Sequence, residues 1–379
     1  MLLLGAPGTA SAWHRGHVEI FAVVPDLPGN VPAGIEGLAV GPDGTVYTPS
    51  AGFNSEGPVS GPPHLFSFKP DGELLHNVAL VSPGTTTCPS SGTQPSPALL
   101  GLVYQSSSKT LLIADLFQGI VWQASPTTGQ ACVFMITPFK SASGLNALTF
   151  DKKGNVYVSD SFQGVIWKTG PTGGTPTVFV DSDTLSPAAA TGVILVPPFG
   201  ANGVEFNNEY TEMYVANTAY HSIVEVPVTL NTDGSVSATG TAAVLTTGIN
   251  APDGIAVDSK DNLWVDSNQG DEIIVIDPTA TNALGEPQAK VIAKRGDFHG
   301  ISDDGTIQGL LFPASPAFSP DGKYIYTSNF GLYLPYAGVP ETAVDSPWTL
   351  KVKHYTIAKI RAEIPPLGDN DDHHHHHEH

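Results

Sequence analysis

Glu36, Asn146, Asn202 and Asp253 stand at the same place in a recurring phrase. Each is followed by a small residue, then mostly apolar residues, a Gly-containing turn or short loop and a second apolar run. The copies are Glu36-Gly-Leu-Ala-Val40 with Val46-Tyr47, Asn146-Ala-Leu-Thr-Phe150 with Val156-Tyr-Val158, Asn202-Gly-Val-Glu-Phe206 with Met213-Tyr-Val215, and Asp253-Gly-Ile-Ala-Val257 with Leu263-Trp-Val265. Two further copies open on apolar residues, Leu100-Gly-Leu-Val-Tyr104 and Ala314-Ser-Pro-Ala-Phe318. Asn-Gly and Asp-Gly are ordinary turn pairs, so any one of these residues alone reads as a turn former. Four oxygen-bearing side chains in register read as a donor set. A hard divalent cation such as Ca²⁺ takes six to eight oxygens from carboxylates, amides and water without strict geometry. Two carboxylates, Glu36 and Asp253, balance its charge, and without a cation they repel each other and one pKa rises.

The elements that must position these side chains follow from the spacing. The leading positions 36, 100, 146, 202, 253 and 314 are separated by 64, 46, 56, 51 and 61 residues. A four-stranded propeller blade takes about 40 to 50 residues, and loops absorb the excess. The spacing therefore predicts an all-β, six-bladed β-propeller over residues 13–364, with turns such as Pro42-Asp43-Gly44 and Pro320-Asp321-Gly322. After Tyr326 one good strand remains, His354–Ile360, whereas Val18–Val24 has the character of a fourth strand with no blade before it. The N-terminal strand is expected to complete the last blade and hide its edge. The first strand of each blade lies nearest the axis, so the six leading residues converge on one mouth of the central channel.

These motifs, Asn202-Gly-Val-Glu-Phe206 with Met213-Tyr-Val-Ala-Asn217 and Asp253-Gly-Ile-Ala-Val-Asp258 with Asn262-Leu-Trp-Val265, resemble the senescence-marker/gluconolactonase family. That family includes regucalcin-like proteins and is related to paraoxonase-type lactonases. The resemblance extends over all six repeats and is strongest in the short strand motifs. It implies a catalytic divalent metal held by a Glu, an Asn and an Asp, here Glu36, Asn202 and Asp253, with Asn146 as a further residue on metal or substrate. In the first blade the family usually has Glu-Gly-Pro followed by Trp, whereas here Leu38-Ala39 follows Glu36-Gly37. The implied chemistry is hydrolysis of a lactone or related ester. The cation polarises the carbonyl, Asp253 serves as base and Glu36 mainly as ligand. Calcium is the expected ion, with Mg²⁺, Mn²⁺ and Zn²⁺ as the others to consider.

Loops between second and third strands should share the face of the metal, and they carry Asn54, Asp115, Gln118, Asp160, Gln163, His221, Asn268, Asp271 and Asn329. His221 is a candidate proton shuttle near neutral pH, against the plainer reading of a surface loop histidine. Asp115 and Asp160 precede matching Phe-Gln-Gly turns, which they would cap. Residues 48–63 and 185–200 are insertions that could shape access. The second includes the apolar run Val193–Phe199, either a lid for a partly apolar substrate or an extra strand pair on the fourth blade.

Acidic residues outnumber basic ones 36 to 16, a formal charge of -20, which repels nucleic acid and anionic lipid. The expected partner is a small molecule, the expected state a monomer without a membrane span. Ala10-Ser11-Ala12 after an apolar run reads as a signal-peptide remnant over residues 1–12, placing the mature chain outside the cell or in a periplasm. In that compartment Cys88 and Cys132 could pair. Residues 365–379, acidic and then His-rich, read as a disordered tail. Two competing readings are a non-catalytic binding propeller of the NHL type and a strictosidine-synthase-like enzyme that works without a metal. Gly170-Pro-Thr-Gly-Gly174 lacks the Lys and Ser/Thr of a phosphate loop and is a turn.

Overall fold

The computed structural model describes residues 15–138, 142–187, 198–337 and 346–364. The expected signal-peptide remnant and C-terminal tail lie outside these residues, as do positions 193–197 of the apolar run 193–199.

The short β-branched and aromatic runs fold into six four-stranded antiparallel sheets. Blade one is Ala39–Val40, Val46–Pro49, His64–Phe68 and Leu74–Ala79; blade two is Leu99–Gln105, Thr110–Asp115, Ile120–Ala124 and Ala131–Ile136. Blade three is Leu145–Phe150, Val156–Asp160, Val165–Gly170 and Gly173–Asp181; blade four is Ala201–Phe206, Glu212–Asn217, Ser222–Leu230 and Ala243–Thr247. A short strand, Val236–Ala238, pairs with the far end of Ser222–Leu230 and lengthens that blade. Blade five is Pro252–Val257, Leu263–Ser267, Glu272–Asp277 and Lys290–Arg295.

The sixth sheet closes the ring as the sequence leads one to expect. Pro313–Phe318, Tyr324–Asn329 and Thr356–Arg361 take Val18–Val23 as their outer neighbour, with Val18 opposite Ile360 and Val23 opposite Thr356. Each innermost strand packs on the next, and Pro313–Phe318 returns to Ala39–Val40, so the six surround one axis. A single parallel pairing, Met135 opposite Gly174, joins the outer edges of blades two and three. The core lies between blades, in apolar layers such as Leu111, Ile113, Trp122 and Leu65 between blades one and two. Cys88 and Cys132 form a disulfide that ties the loop before blade two to that blade's outermost strand.

One local device recurs in every blade. Leu99 faces Asp115 but Leu102 faces Ile113, so the inner strand carries one extra residue. The same shift occurs between Leu145 and Leu148, Ala201 and Val204, Pro252 and Ile255, and Pro313 and Pro316. In blade one Ile35 pairs with Ser50 and Ala39 with Tyr47, giving the same offset. A bulge frees its residue from the ladder and re-aims its side chain. Each of the six leading residues sits in such a bulge.

Candidate functional site

Glu36, Asn146, Asn202 and Asp253 are buried, as are Leu100 and Ala314. In four blades the residue after the leading one is a glycine that lets neighbouring inner strands touch. A Cβ on Gly37 would lie 2.1 Å from the carbonyl oxygen of Leu100, on Gly101 2.4 Å from that of Asn146, and on Gly203 2.2 Å from that of Asp253. A Cβ on Gly254 would lie 2.5 Å from the carbonyl oxygen of Ala314. Bare backbone at these positions draws the leading residues into a tight ring. Below them a channel of about 710 Å³ runs along all six inner strands, with Glu205 and Thr149 among its polar walls.

Three side chains stitch the polar side of the ring together. Ser161 donates its hydroxyl proton to the carbonyl of Ala201 (2.7 Å) and accepts from Asn146 Nδ2 (3.1 Å). Thr218 donates to the carbonyl of Pro252 (2.7 Å) and accepts from Asn202 Nδ2 (2.9 Å). Asn268 Nδ2 donates both to Asp253 Oδ2 (2.8 Å) and to the carbonyl of Pro313 (2.6 Å). Each thus grips the leading residue of its own blade and the start of the next. The bonds also set the amide orientation. A hydroxyl has one proton, and Thr218 spends it on Pro252, so Asn202 must present its NH₂ there and turn its oxygen away.

That oxygen, Asn202 Oδ1, is buried without a hydrogen-bond partner, and so are Glu36 Oε2 and Asp266 Oδ1. Asp266, on the second strand of blade five, accepts from Thr327 Oγ1 of blade six at 2.5 Å through its other oxygen. Burial raises the pKa of Glu36 well above the carboxylate range, and the charges of Asp253 and Asp266 raise it further. Burial likewise lifts Asp253 to about 7, although hydrogen bonds from the Asn268 and Asn202 side chains pull it down. Asp266 is also raised well above its ordinary value, by burial and then, against the Thr327 bond, by Asp253. Three buried carboxyl groups that repel one another, and buried oxygens with no donor, are costly as they stand. A cation is the group that relieves both, so the residues present fit a divalent ion bound by oxygen. Among the described residues no three His, Cys, Asp or Glu side chains form a metal cluster by themselves; the amide oxygens are needed to complete a shell.

The remaining residues named from the sequence fall elsewhere. Asp115 accepts from Ser96, from the Phe117 amide and from Trp122 Nε1. Asp160 does the same for Gly144, Phe162, Gln163 and Trp167, so both cap turns and anchor a tryptophan. Asn329 is tied to Leu311, Gly309 and Thr356, and Asn54 to Pro32, Glu56 and Gly57. His221 sits in a positive-φ turn of blade four, where its Nδ1 lies 3.2 Å from both the carbonyl oxygen of Ile249 and the amide nitrogen of Ala251, two residues before Asp253. Asp266 was not anticipated. Its signal was available: the matching positions in the other blades are Pro49, Ala114, Ser159, Ala216 and Ser328, and one carboxylate among them is out of place.

Apolar residues complete the same face. Leu100, Leu116, Phe312, Ala314, Phe330, Leu332 and Leu334 form one cluster, so the mouth is polar on the side of blades three to five and apolar around Leu100 and Ala314, which flank Glu36.

In comparison with known proteins, residues 93–293 match the family described as SMP-30/gluconolactonase/LRE-like region. No curated protein matches the chain. Among solved structures a luciferin-regenerating enzyme superposes with a TM-score of 0.56 at 14% identity, covering 89% of this chain and 95% of that one. A regucalcin from Agrobacterium tumefaciens, described as a calcium-binding protein, gives 0.53 at 16% identity over 90% and 94% of the two chains. A gluconolactonase from Xanthomonas campestris gives 0.52 at 12% identity over 87% and 86%. At these identities the likeness is one of fold.

Proposed function

Because the chain belongs to the SMP-30/gluconolactonase/LRE-like family, we propose that it is a metal-dependent hydrolase of lactones or related esters, acting at the axial ring. The observation that supports this reading is that Glu36 Oε2 and Asn202 Oδ1 are buried without a donor, while Asp253 repels Glu36 and accepts from Asn202. Glu36, Asn202 and Asp253 would hold the ion, with Asn146 the next amide round the ring. When bound, a divalent cation supplies Lewis acidity to a carbonyl oxygen.

The side chains do the rest. Asp253 would accept the proton of an attacking water; its carboxyl, at about 7 without the ion, would be lowered by a bound cation. Asn268, which donates to Oδ2, and Asn202 fix its orientation. Glu36 stands between apolar neighbours and acts as a ligand. His221, anchored through Nδ1, would relay a proton outward through Nε2. The disulfide supports residence in an oxidising compartment, outside the cytoplasm. No described helix is long and apolar enough to cross a membrane.

Elemental analysis followed by a lactone and ester panel, with and without chelator, tests this. About one divalent ion per chain and chelator-sensitive hydrolysis are expected, both lost in Asn202→Ala and Asp253→Ala. Full metal content in both variants would show that the ion sits elsewhere. A second reading, a metal-independent enzyme, draws on the apolar half of the mouth; hydrolysis or other turnover undiminished by chelator would favour it.

A further inference from the structure

Beside the polar ring lies a second cavity of about 270 Å³, walled by Phe53, Leu100, Phe117, Phe162, Phe199 and Phe330 among others. Leu100 belongs to both: it is a leading residue of the axial ring and part of the cavity wall. The rings are mutually braced, Phe53 against Phe117 at 6.2 Å and Phe162 against Phe199 at 5.7 Å between centroids. Phe117 and Phe162 stay 54% and 37% exposed at the rim, an arrangement that leaves apolar surface uncovered.

Resting on the hydrolase reading of the axial site, we propose that the substrate is a lactone or ester carrying a bulky apolar substituent, which occupies this vestibule while its carbonyl reaches the axis. Tyr336 is the lining residue with a polar side-chain atom, so the hydroxyls of a sugar lactone would leave their water partners there for almost none in return. Hydrocarbon loses nothing of that kind and gains from burial. A dry cavity of about 150 Å³ holds benzene, and the larger volume here takes two fused rings or an acyl chain of similar bulk. The arrangement of the mouth favours one orientation: the oxygens of the ring would hold the ion that draws the carbonyl, and Leu100 lies between that ring and the vestibule.

The test is a homologous series of lactones with alkyl side chains of increasing length, with glucono-1,5-lactone as the polar comparison, assayed with calcium-loaded protein. The expected kcat/KM rises about threefold to fourfold per added methylene until the vestibule is full, and the slope flattens in the double variant Phe117→Ser, Phe162→Ser. Hydrolysis with no chain-length slope, or with the sugar lactone preferred, overturns this inference and leaves the hydrolase reading standing. If no lactone is hydrolysed, the hydrolase reading fails, and calorimetric titration with the cyclic-ether analogue of the longest lactone decides the vestibule separately. Binding weakened tenfold or more in the double variant supports it; no binding to the wild type overturns it.

Discussion

Replacing Asp253 by Asn should stabilise the protein when no metal is present and destabilise it relative to wild type when calcium is. The carboxyl pKa rises from 3.8 to about 7 on folding, and each unit corresponds to about 1.4 kcal/mol. A carboxyl raised in this way keeps its proton in the folded state and releases it in the unfolded chain. The penalty is therefore absent below the unfolded value, grows through the window from pH 4 to 7, and is constant above it. At pH 8 it is about 4 kcal/mol and at pH 5.5 about 2 kcal/mol, the net of burial and the two hydrogen bonds that oppose it. Asn keeps an oxygen to accept from Asn268 and carries no charge to repel Glu36 or Asp266. Urea denaturation with chelator should thus show the variant ahead by a few kcal/mol at pH 8 and by roughly half as much at pH 5.5. Added calcium should then reverse the order once it exceeds its wild-type Kd by about 10,000-fold, where binding adds roughly 5 kcal/mol and the variant binds it more weakly. A variant that is less stable than wild type at pH 8 without metal, or a difference that does not shrink with falling pH, would refute the electrostatic account of the ring.

Three further outcomes follow from the same geometry. Glu205 in the axial channel is raised from 4.5 to about 7 by burial, so Glu205→Gln should add up to about 3 kcal/mol above pH 7 and nothing below pH 4.5, read by urea denaturation with chelator. Gly203→Ala forces a methyl against the carbonyl of Asp253; a loss of about 1–3 kcal/mol should come with a tenfold or greater fall in calcium affinity by calorimetry. Replacing both Cys88 and Cys132 by Ser opens a link spanning 44 residues, which should cost about 2–4 kcal/mol in thermal unfolding without changing metal content.

The axial ring was legible because its signal is repeated: a bulge needs an extra residue at one place in every blade, and six copies reveal what one conceals. The closing strand was legible for a related reason, since the last blade visibly lacked a partner and Val18–Val23 had no other use. Asp266 escaped because it lies inside a strand, where a single acidic residue reads as part of ordinary alternation. Its meaning depends on Thr327 and Glu36, 61 and 230 positions away. The aromatic vestibule was legible only in part: the insertions carrying Phe53 and Phe199 stood out as shaping access, whereas Phe117, Phe162 and Phe330 did not. Phe53, Phe117, Phe162, Phe199 and Phe330 come from five separate connections, and no local pattern links residues that meet only when the ring has formed. Polar loop residues were conspicuous for the opposite reason. Asp115, Asp160 and Asn329 carry oxygen at the right face, but local amides and indoles claim them first.

The sheet shared by residues 18–23 and 356–361 has a temporal side. On the ribosome, the strand made first must wait, unpaired, until the strand made nearly last has emerged. Until then the nascent molecule is an open arc with sticky flanks, at risk of joining another copy. Shortening either end should therefore harm yield and solubility in cells well before it harms any chemistry at the centre.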